Sequence, residues 1–336
     1  MSTLYYPHTS QTLLAETAKF QQVIIISDAK TNGFCLPQLK KWHPEFSLFP
    51  SIVLPDGEKN KTLATCEYVW ENLIKLHANK QTLLIAVGGG ALCDLVAFCA
   101  STYMRGIAVM HMPTTLLAMV DASIGGKTAI DFLNFKNIIG SFYLPHAIYI
   151  NPLFLDTLPQ RILKSGIAEM LKHALLKGQA NWEKICSYQE SDFYTIEAIQ
   201  EAAHFKIQVV EQDEKDEHTR QQLNLGHTIG HAIESFSIQS PKPLLHGEAI
   251  MLGIYYELKL SELELGLDPL ITNQWKEIMQ RFFPTLTFVY SVQDLFPFLK
   301  RDKKNDNNIR MSLLSALGEC HIQTSISIEQ IATVFR

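Results

Sequence analysis

The chain has no C-x-x-C pair. Its six cysteines, Cys35, Cys66, Cys93, Cys99, Cys186 and Cys320, are scattered. That pattern argues against a thiolate metal site or a disulfide framework and suits a reducing cytosol. No long lysine or arginine block is present and the formal net charge is −5. A nucleic acid or an anionic membrane surface is therefore not an expected partner. Nor is there an unbroken apolar run of the roughly 20 residues that a membrane span needs. The longest apolar stretches, near 82–100 and 107–120, are interrupted by Gly88 to Gly90, Asp94 or Pro113. Met1 to Gln11 has neither a basic start nor an apolar core, so no secretory signal is readable. No internal repeat is present.

What is there is globular: 336 residues, 47% hydrophobic and 19% charged, enough for two domains. The first half alternates strands and helices. Val23 to Ser27, Ile52 to Leu54, Thr82 to Val87, Ala108 to Met112 and Ile148 to Ile150 read as strands. A helix is expected from Lys61 to about His77 and another from near Ala91. Beyond Pro152 the pattern turns helical, with helices near 160–177, 194–212, 222–238, 247–264 and 271–281. Two short strands follow around Leu317-Gly318-Glu319, then a last helix from about Ser327. The expected fold is an α/β N-terminal domain with a Rossmann-like nucleotide-binding sheet, residues 1–151, and a mainly α-helical C-terminal domain, residues 152–336. The cleft between them is the natural place for a ligand.

Gly88-Gly89-Gly90 ends the clearest strand and opens an apolar helix. Glycines there let a phosphate approach the free amides of a helix N-terminus. The spacing matches neither G-x-G-x-x-G nor a P-loop, and a plain tight turn reads equally well. Asp94, on the first turn of that helix, is unusual in so apolar a segment. Asp28, at the end of an early strand, suits a ribose hydroxyl or simply a turn. Arg105, Lys127, Lys136 and Asn137 form a cation-rich set near glycines, suited to a phosphorylated or carboxylated substrate.

The densest motif runs from Arg220 through Asn224, Gly226, His227, Gly230, His231 and Glu234 to His246-Gly247-Glu248. His227 and His231, four apart, share a helix face, and His246 follows, so a transition-metal site is suggested. Gly226 and Gly230 sit inside the helical pattern, where each costs about 1 kcal/mol relative to alanine, so they mark close approach of backbone or ligand. Glu169 offers a carboxylate ligand. Lys172 and His173 share its face, but an ordinary Glu–Lys helix pair fits the spacing as well.

Taken together, these motifs resemble those of the 3-dehydroquinate synthase family over nearly the whole chain, from Asp28 to about Gly318. The matching stretches include Pro55-x-Gly57-Glu58-x-x-Lys61, Gly88-Gly89-Gly90 with Asp94, Tyr103-x-Arg105-Gly106-Ile107 and Pro113 to Thr128. They continue with Lys136-Asn137, Thr157-Leu158-Pro159, Ser165-Gly166-x-Ala168-Glu169-x-x-Lys172, Arg220 to Glu234, His246-Gly247-Glu248 and Asp302-Lys303-Lys304.

The resemblance implies NAD in the N-terminal domain and a zinc ion, with cobalt as an alternative, at the interdomain cleft. It implies metal ligation by Glu169, His227 and His246, with His231 on the substrate side, whereas spacing alone pairs His227 with His231. For NAD it implies Asp28, Glu58, Lys61, Gly88, Gly89, Gly90, Asp94, Thr114, Thr115, Lys127, Lys136, Thr157 and Leu158. For substrate and catalysis it implies Arg105, Asp121, Lys127, Asn137, Lys172, Lys206, Arg220, Asn224, His231 and Lys303 of the Lys303-Lys304 pair. The implied reaction converts 3-deoxy-D-arabino-heptulosonate 7-phosphate to 3-dehydroquinate and phosphate. It proceeds by transient oxidation, β-elimination, re-reduction and aldol closure, within aromatic amino-acid biosynthesis. A cytoplasmic homodimer is implied as well. Lys30, Ala97, Asp131, Phe135, Ile162 and His218 depart from the family pattern. Three alternatives have different signatures. Another sugar phosphate cyclase would take a different sugar phosphate. A polyol dehydrogenase would release NADH. A catalytically silent binding protein would have lost a metal ligand, and none is lost.

Overall fold

The structure is a computed structural model that describes residues 2–7, 10–133, 135–238, 240–287, 290–299 and 308–335, without the side chains of 10–12. The chain divides into two compact units, Met1–Pro159 and Gln160–Arg336. The first contains the short helical segment Pro152–Thr157 in addition to the strands.

The strands of the first unit are β1 (Thr3–Tyr5), β2 (Gln22–Asp28), β3 (Ser51–Leu54), β4 (Thr82–Gly88), β5 (Ala108–Pro113), β6 (Lys127–Phe132), β7 (Phe135–Phe142) and β8 (Ala147–Tyr149). Six of them form one sheet in the order β1-β8-β5-β4-β2-β3, and every pair is parallel. The helices are α1 (Ser10–Thr17), α2 (Ala29–Trp42), α3 (Leu63–Lys75) and α4 (Gly90–Thr102). A parallel sheet covered on both faces needs continuously apolar strands, and every residue of β4 is buried. From β2 the chain goes to β3 on one side and then returns to β4 on the other. The strand order therefore reverses between β2 and β4, the place where open α/β sheets leave a crevice at the carboxyl ends. The register pairs Ser27 with Val87, which sets Asp28 beside Gly88.

Two local expectations change. The helix after Lys61 is Leu63–Lys75, because Thr62 caps it and Lys61 lies buried in the preceding turn. Asp94 lies beyond the first turn of α4. The stretch after Gly126 is a hairpin, β6 against β7, not foreseen in the sequence.

In the second unit the helices are α5 (Gln160–Ser165), α6 (Ile167–Lys177), α7 (Gln179–Cys186), α8 (Ile196–Gln212), α9 (His227–Ser237), α10 (His246–Leu265), α11 (Pro269–Phe282), α12 (Val292–Leu299) and α13 (Ile328–Thr333). An antiparallel pair, β9 (Asn308–Ala316) and β10 (Glu319–Ser327), precedes the last of them. The helix expected over 160–177 is divided at Gly166. The one expected over 222–238 begins only at His227, because Gly226 adopts a left-handed φ of 82° and the preceding Thr219–Asn224 is a 3₁₀ turn. Among the described residues no helix is long and apolar enough to cross a membrane.

Candidate metal centre and nucleotide cradle

Glycine brings α9 and α10 together. A Cβ on Gly253 would lie 2.0 Å from the Gly226 carbonyl oxygen and 2.6 Å from the Gly230 nitrogen. A Cβ on Gly230 would meet Ile250 Cδ1 at 2.9 Å. The cost of these glycines is thus explained by backbone approach between two helices. Gly247 meets α5 in the same way, with its amide donating to Ser165 Oγ at 3.0 Å. These contacts fix the first residue of α9, His227, and the first residue of α10, His246, against Glu169 on α6.

The imidazoles are aimed inward. His227 Nδ1 is 3.2 Å from the Leu225 carbonyl and His246 Nδ1 is 3.1 Å from Glu234 Oε2. Both acceptors lack protons, so each Nδ1 carries a hydrogen and each Nε2 is turned towards Glu169, where a metal would displace any proton on it. The two Nε2 atoms each lie 3.7 Å from Glu169 Oε1. Glu169 is fully buried, and Lys172 on the next turn pairs with its other oxygen. His231 joins from one turn along α9, its ring centroid 5.1 Å from that of His227 and 5.6 Å from that of His246. One ligand atom from each of the three histidines lies within 4.8 Å of the others. Burial, with Lys172 nearby, holds His227 well below the ordinary imidazole range. Burial also acts against a proton on His246, yet hydrogen bonding to Glu169 and Glu234 carries it up to about 9. One ring is thus kept neutral and the other sits between carboxylates. That donor set fits a divalent cation with open coordination positions.

The other residues expected in the second unit lie as follows. Lys172 Nζ also donates to the Leu223 carbonyl at 2.7 Å, at the turn that ends with Asn224, which is exposed. Arg220 is buried, and its guanidinium donates to the Glu214 carbonyl at 2.7 Å. Lys206 is buried on α8. Asp213 gathers the intervening loop by accepting the amides of Glu217, His218 and Arg220. The left-handed residue of that loop is Asp216, not His218, so His218 needs no glycine-like freedom. Lys303 and Lys304 lie outside the described residues.

In the first unit the carboxyl ends of β2, β4 and β5 bring Asp28, Gly88 to Gly90, Thr114 and Thr115 into one row, with the Thr114 amide donating to the Gly88 carbonyl at 2.9 Å. Gly89 begins α4 without a side-chain cap, and a Cβ on Gly90 would come 2.8 Å from that of Ala122. Uncapped amides behind a glycine turn fit the pyrophosphate of a dinucleotide. Asp28 Oδ1 caps α2 by accepting the Thr31 amide at 2.8 Å. Thr157 Oγ1 donates to Phe154 and stands 4.0 Å from Cys35 Sγ, with Leu158 following it.

Lys61 ties this row to the hairpin. Its Nζ donates to Asp94 Oδ2 at 2.6 Å and to Asn137 Oδ1 at 2.5 Å. Its carbonyl accepts the Asp131 amide, and Asp131 Oδ1 in turn accepts the Asn137 amide at 2.9 Å. Burial raises the Asp94 carboxyl to about 6 against the pull of Lys61, with Glu58 and Asp121 adding negative charge. Lys127 and Lys136 are exposed on the hairpin. Arg105 occupies a left-handed turn (φ 61°) before β5, at the opposite end of that strand from Thr114, and the neighbouring Gly106 lies against Tyr143 beside the Lys127 end of the hairpin.

Family models describing the N-terminal and C-terminal parts of 3-dehydroquinate synthase match residues 51–165 and 166–305. The chain belongs to the 3-dehydroquinate synthase family. It is thereby an enzyme, a carbon–oxygen lyase of the sugar phosphate cyclase superfamily. The 3-dehydroquinate synthase of Leptospira interrogans is 40% identical over 327 residues, 95% of this chain and 89% of the relative. That of Parabacteroides distasonis is 35% identical over 318 residues, covering 93% and 90%. Among solved structures, a 2-deoxy-scyllo-inosose synthase complexed with carbaglucose-6-phosphate, NAD+ and Co2+ aligns with a TM-score of 0.86 at 26% identity, covering 99% of this chain and 96% of the other. An iron-containing alcohol dehydrogenase of Thermotoga maritima shares the fold alone, with a TM-score of 0.65 at 14% identity and coverage of 100% and 97%.

Three site-building residues were not assigned from the sequence. Glu234 stands in the motif two helical turns from His227 on the same face, a spacing that by itself names no partner. Asp213 carried no signal. Glu257, the third, is an acid inside the apolar run of α10, a visible anomaly.

Proposed function

We propose that this member of the family converts 3-deoxy-D-arabino-heptulosonate 7-phosphate to 3-dehydroquinate and phosphate, using NAD and a divalent metal ion, zinc or cobalt. The observation that carries the reading is the convergence of His227 Nε2 and His246 Nε2 on Glu169 Oε1. Identities of 35–40% to 3-dehydroquinate synthases, against 26% to the inosose synthase, favour this substrate over another sugar phosphate. When bound, NAD would supply reversible hydride acceptance and the metal Lewis acidity at the reacting hydroxyl.

The rest is the work of side chains. Glu169, His227 and His246 would hold the metal. The glycine turn Gly88 to Gly90, with Asp28, Thr114 and Thr115 on adjacent strand ends, would hold the dinucleotide; Glu58, Lys61, Asp94, Lys127, Lys136, Thr157 and Leu158 complete that set. Lys172, Lys206 and Arg220 are buried cations of the kind that bind carboxylate and phosphate. His231, exposed beside the other imidazoles, would carry a proton at the phosphate end. Asp121, Asn137 and Asn224 would orient the hydroxyls. Arg105 would complete the phosphate set. The homodimer belongs to the same reading, and the β6–β7 hairpin, with Phe132, Leu133, Phe135, Ile138 and Phe142 exposed, is the surface a second copy would cover.

The test is phosphate release from the heptulosonate phosphate by metal-loaded protein with catalytic NAD, with absorbance followed for NADH. Stoichiometric phosphate without net NADH, lost in His246→Ala or with a chelator, is the expected result. Accumulating NADH without phosphate would place the chain with the dehydrogenases instead.

A further inference from the structure

Glu257 lies near the middle of α10, about three helical turns after His246 and so on the same side of the helix. It is fully buried. Its Oε2 accepts the Gly226 amide at 2.5 Å and its Oε1 accepts the Ile229 amide at 3.1 Å; the Thr228 amide adds to the same field. These N–H groups are at the start of α9, where a helix cannot satisfy them internally. The usual solution is a serine, threonine or aspartate at the cap. That solution is closed here. The cap position is Gly226, at φ 82°, where a Cβ would lie 2.1 Å from Ile254 Cγ1. The cap comes instead from the neighbouring helix, and the carboxylate is costly to bury. Burial pushes its pKa up to about 8, although the amides of Ile229 and Gly226 and the charge of Lys172 on α6 pull the other way.

The bonded amides lie one residue before and two residues after His227. The carboxylate that holds them is carried by the same helix as His246. A single short connection therefore sets the spacing of two imidazoles on different helices. We propose that Glu257 is a positioning residue of the metal centre, a cross-helix cap that sets His227 against His246. The proposal rests on the metal-centre reading above.

The test measures metal affinity, not turnover. Metal-free protein is titrated with Co2+ against a competing chelator, and the visible spectrum is recorded. Glu257→Gln keeps the side chain's size but faces one amide with a donor. It is expected to weaken cobalt binding by about 10–100-fold, as loss of outer supporting groups commonly does, and to alter the cobalt bands while NAD affinity stays unchanged. If Glu257→Gln does not fold, Glu257→Asp, which keeps the carboxyl group and shortens the reach, is read against the same expectation. Unchanged cobalt affinity and spectrum in a variant whose denaturation midpoint has fallen would overturn the positioning role and leave a plain structural cap. Wild-type protein that takes up no cobalt, or uptake indifferent to His246→Ala, would overturn the centre itself and the proposal with it.

Discussion

Glu234 and His246 form one hydrogen bond that fixes which nitrogen of the ring is offered: Nδ1–H donates to Oε2 at 3.1 Å, and Nε2 is left 3.7 Å from Glu169. A carboxylate behind an imidazole sets its tautomer and its angle. Glu234→Ala should therefore bind zinc about 10–100-fold more weakly, with the polypeptide still folded. Competition with a chromophoric chelator reads this, and unchanged affinity would remove Glu234 from the centre.

Lys61 is 3% exposed and bridges Asp94 to Asn137. Lys61→Met leaves a largely buried carboxylate without its cation. Breaking such a pair from one side costs about 3–5 kcal/mol, towards the lower end where one partner touches water. Denaturant midpoints should fall accordingly. Replacing both members, Lys61→Met with Asp94→Leu, should recover part of the loss, and a double-mutant cycle measures how much.

Two glycines in helices should respond with opposite signs. Gly253→Ala places a methyl against the backbone of α9 and must separate α9 from α10. It should cost at least about 3 kcal/mol, the upper end of ordinary overpacking, and weaken metal binding as well. Gly33→Ala meets nothing within 4 Å on the exposed side of α2. It should stabilise by about 0.5–1 kcal/mol. Thermal melts of the two variants decide both.

Glu16 gives a dependence on pH. Burial alone would raise its pKa, but hydrogen bonds with Lys19, His146 and Tyr5 bring it down to about 2. A depressed carboxyl contributes stability above its ordinary value near 4.5, and that contribution is lost as pH falls towards 2. Glu16→Gln should lower stability at pH 7 and flatten the acid limb between those values. Denaturation midpoints measured across that range would refute the assignment if the limb kept its slope.

By itself the sequence determined the class of fold and the family. Continuous apolar runs such as β4 can only be buried parallel strands when helices alternate with them, and the ordered motifs from Pro55 to His246 carried the family resemblance. Local chemistry was legible too: glycines after a strand, histidines four apart, an acid one turn from a lysine. Tertiary structure decided what those residues face. Gly226 and Gly230 are there for the crossing of α9 on α10, a contact made across the chain and invisible to spacing. Asn137 and Lys61 meet because the β6–β7 hairpin folds back, although 76 residues separate them along the chain. Glu234 and Glu257 acquire their roles only when two helices are packed, because a hydrogen bond depends on a few tenths of an ångström in space and not on separation along the chain.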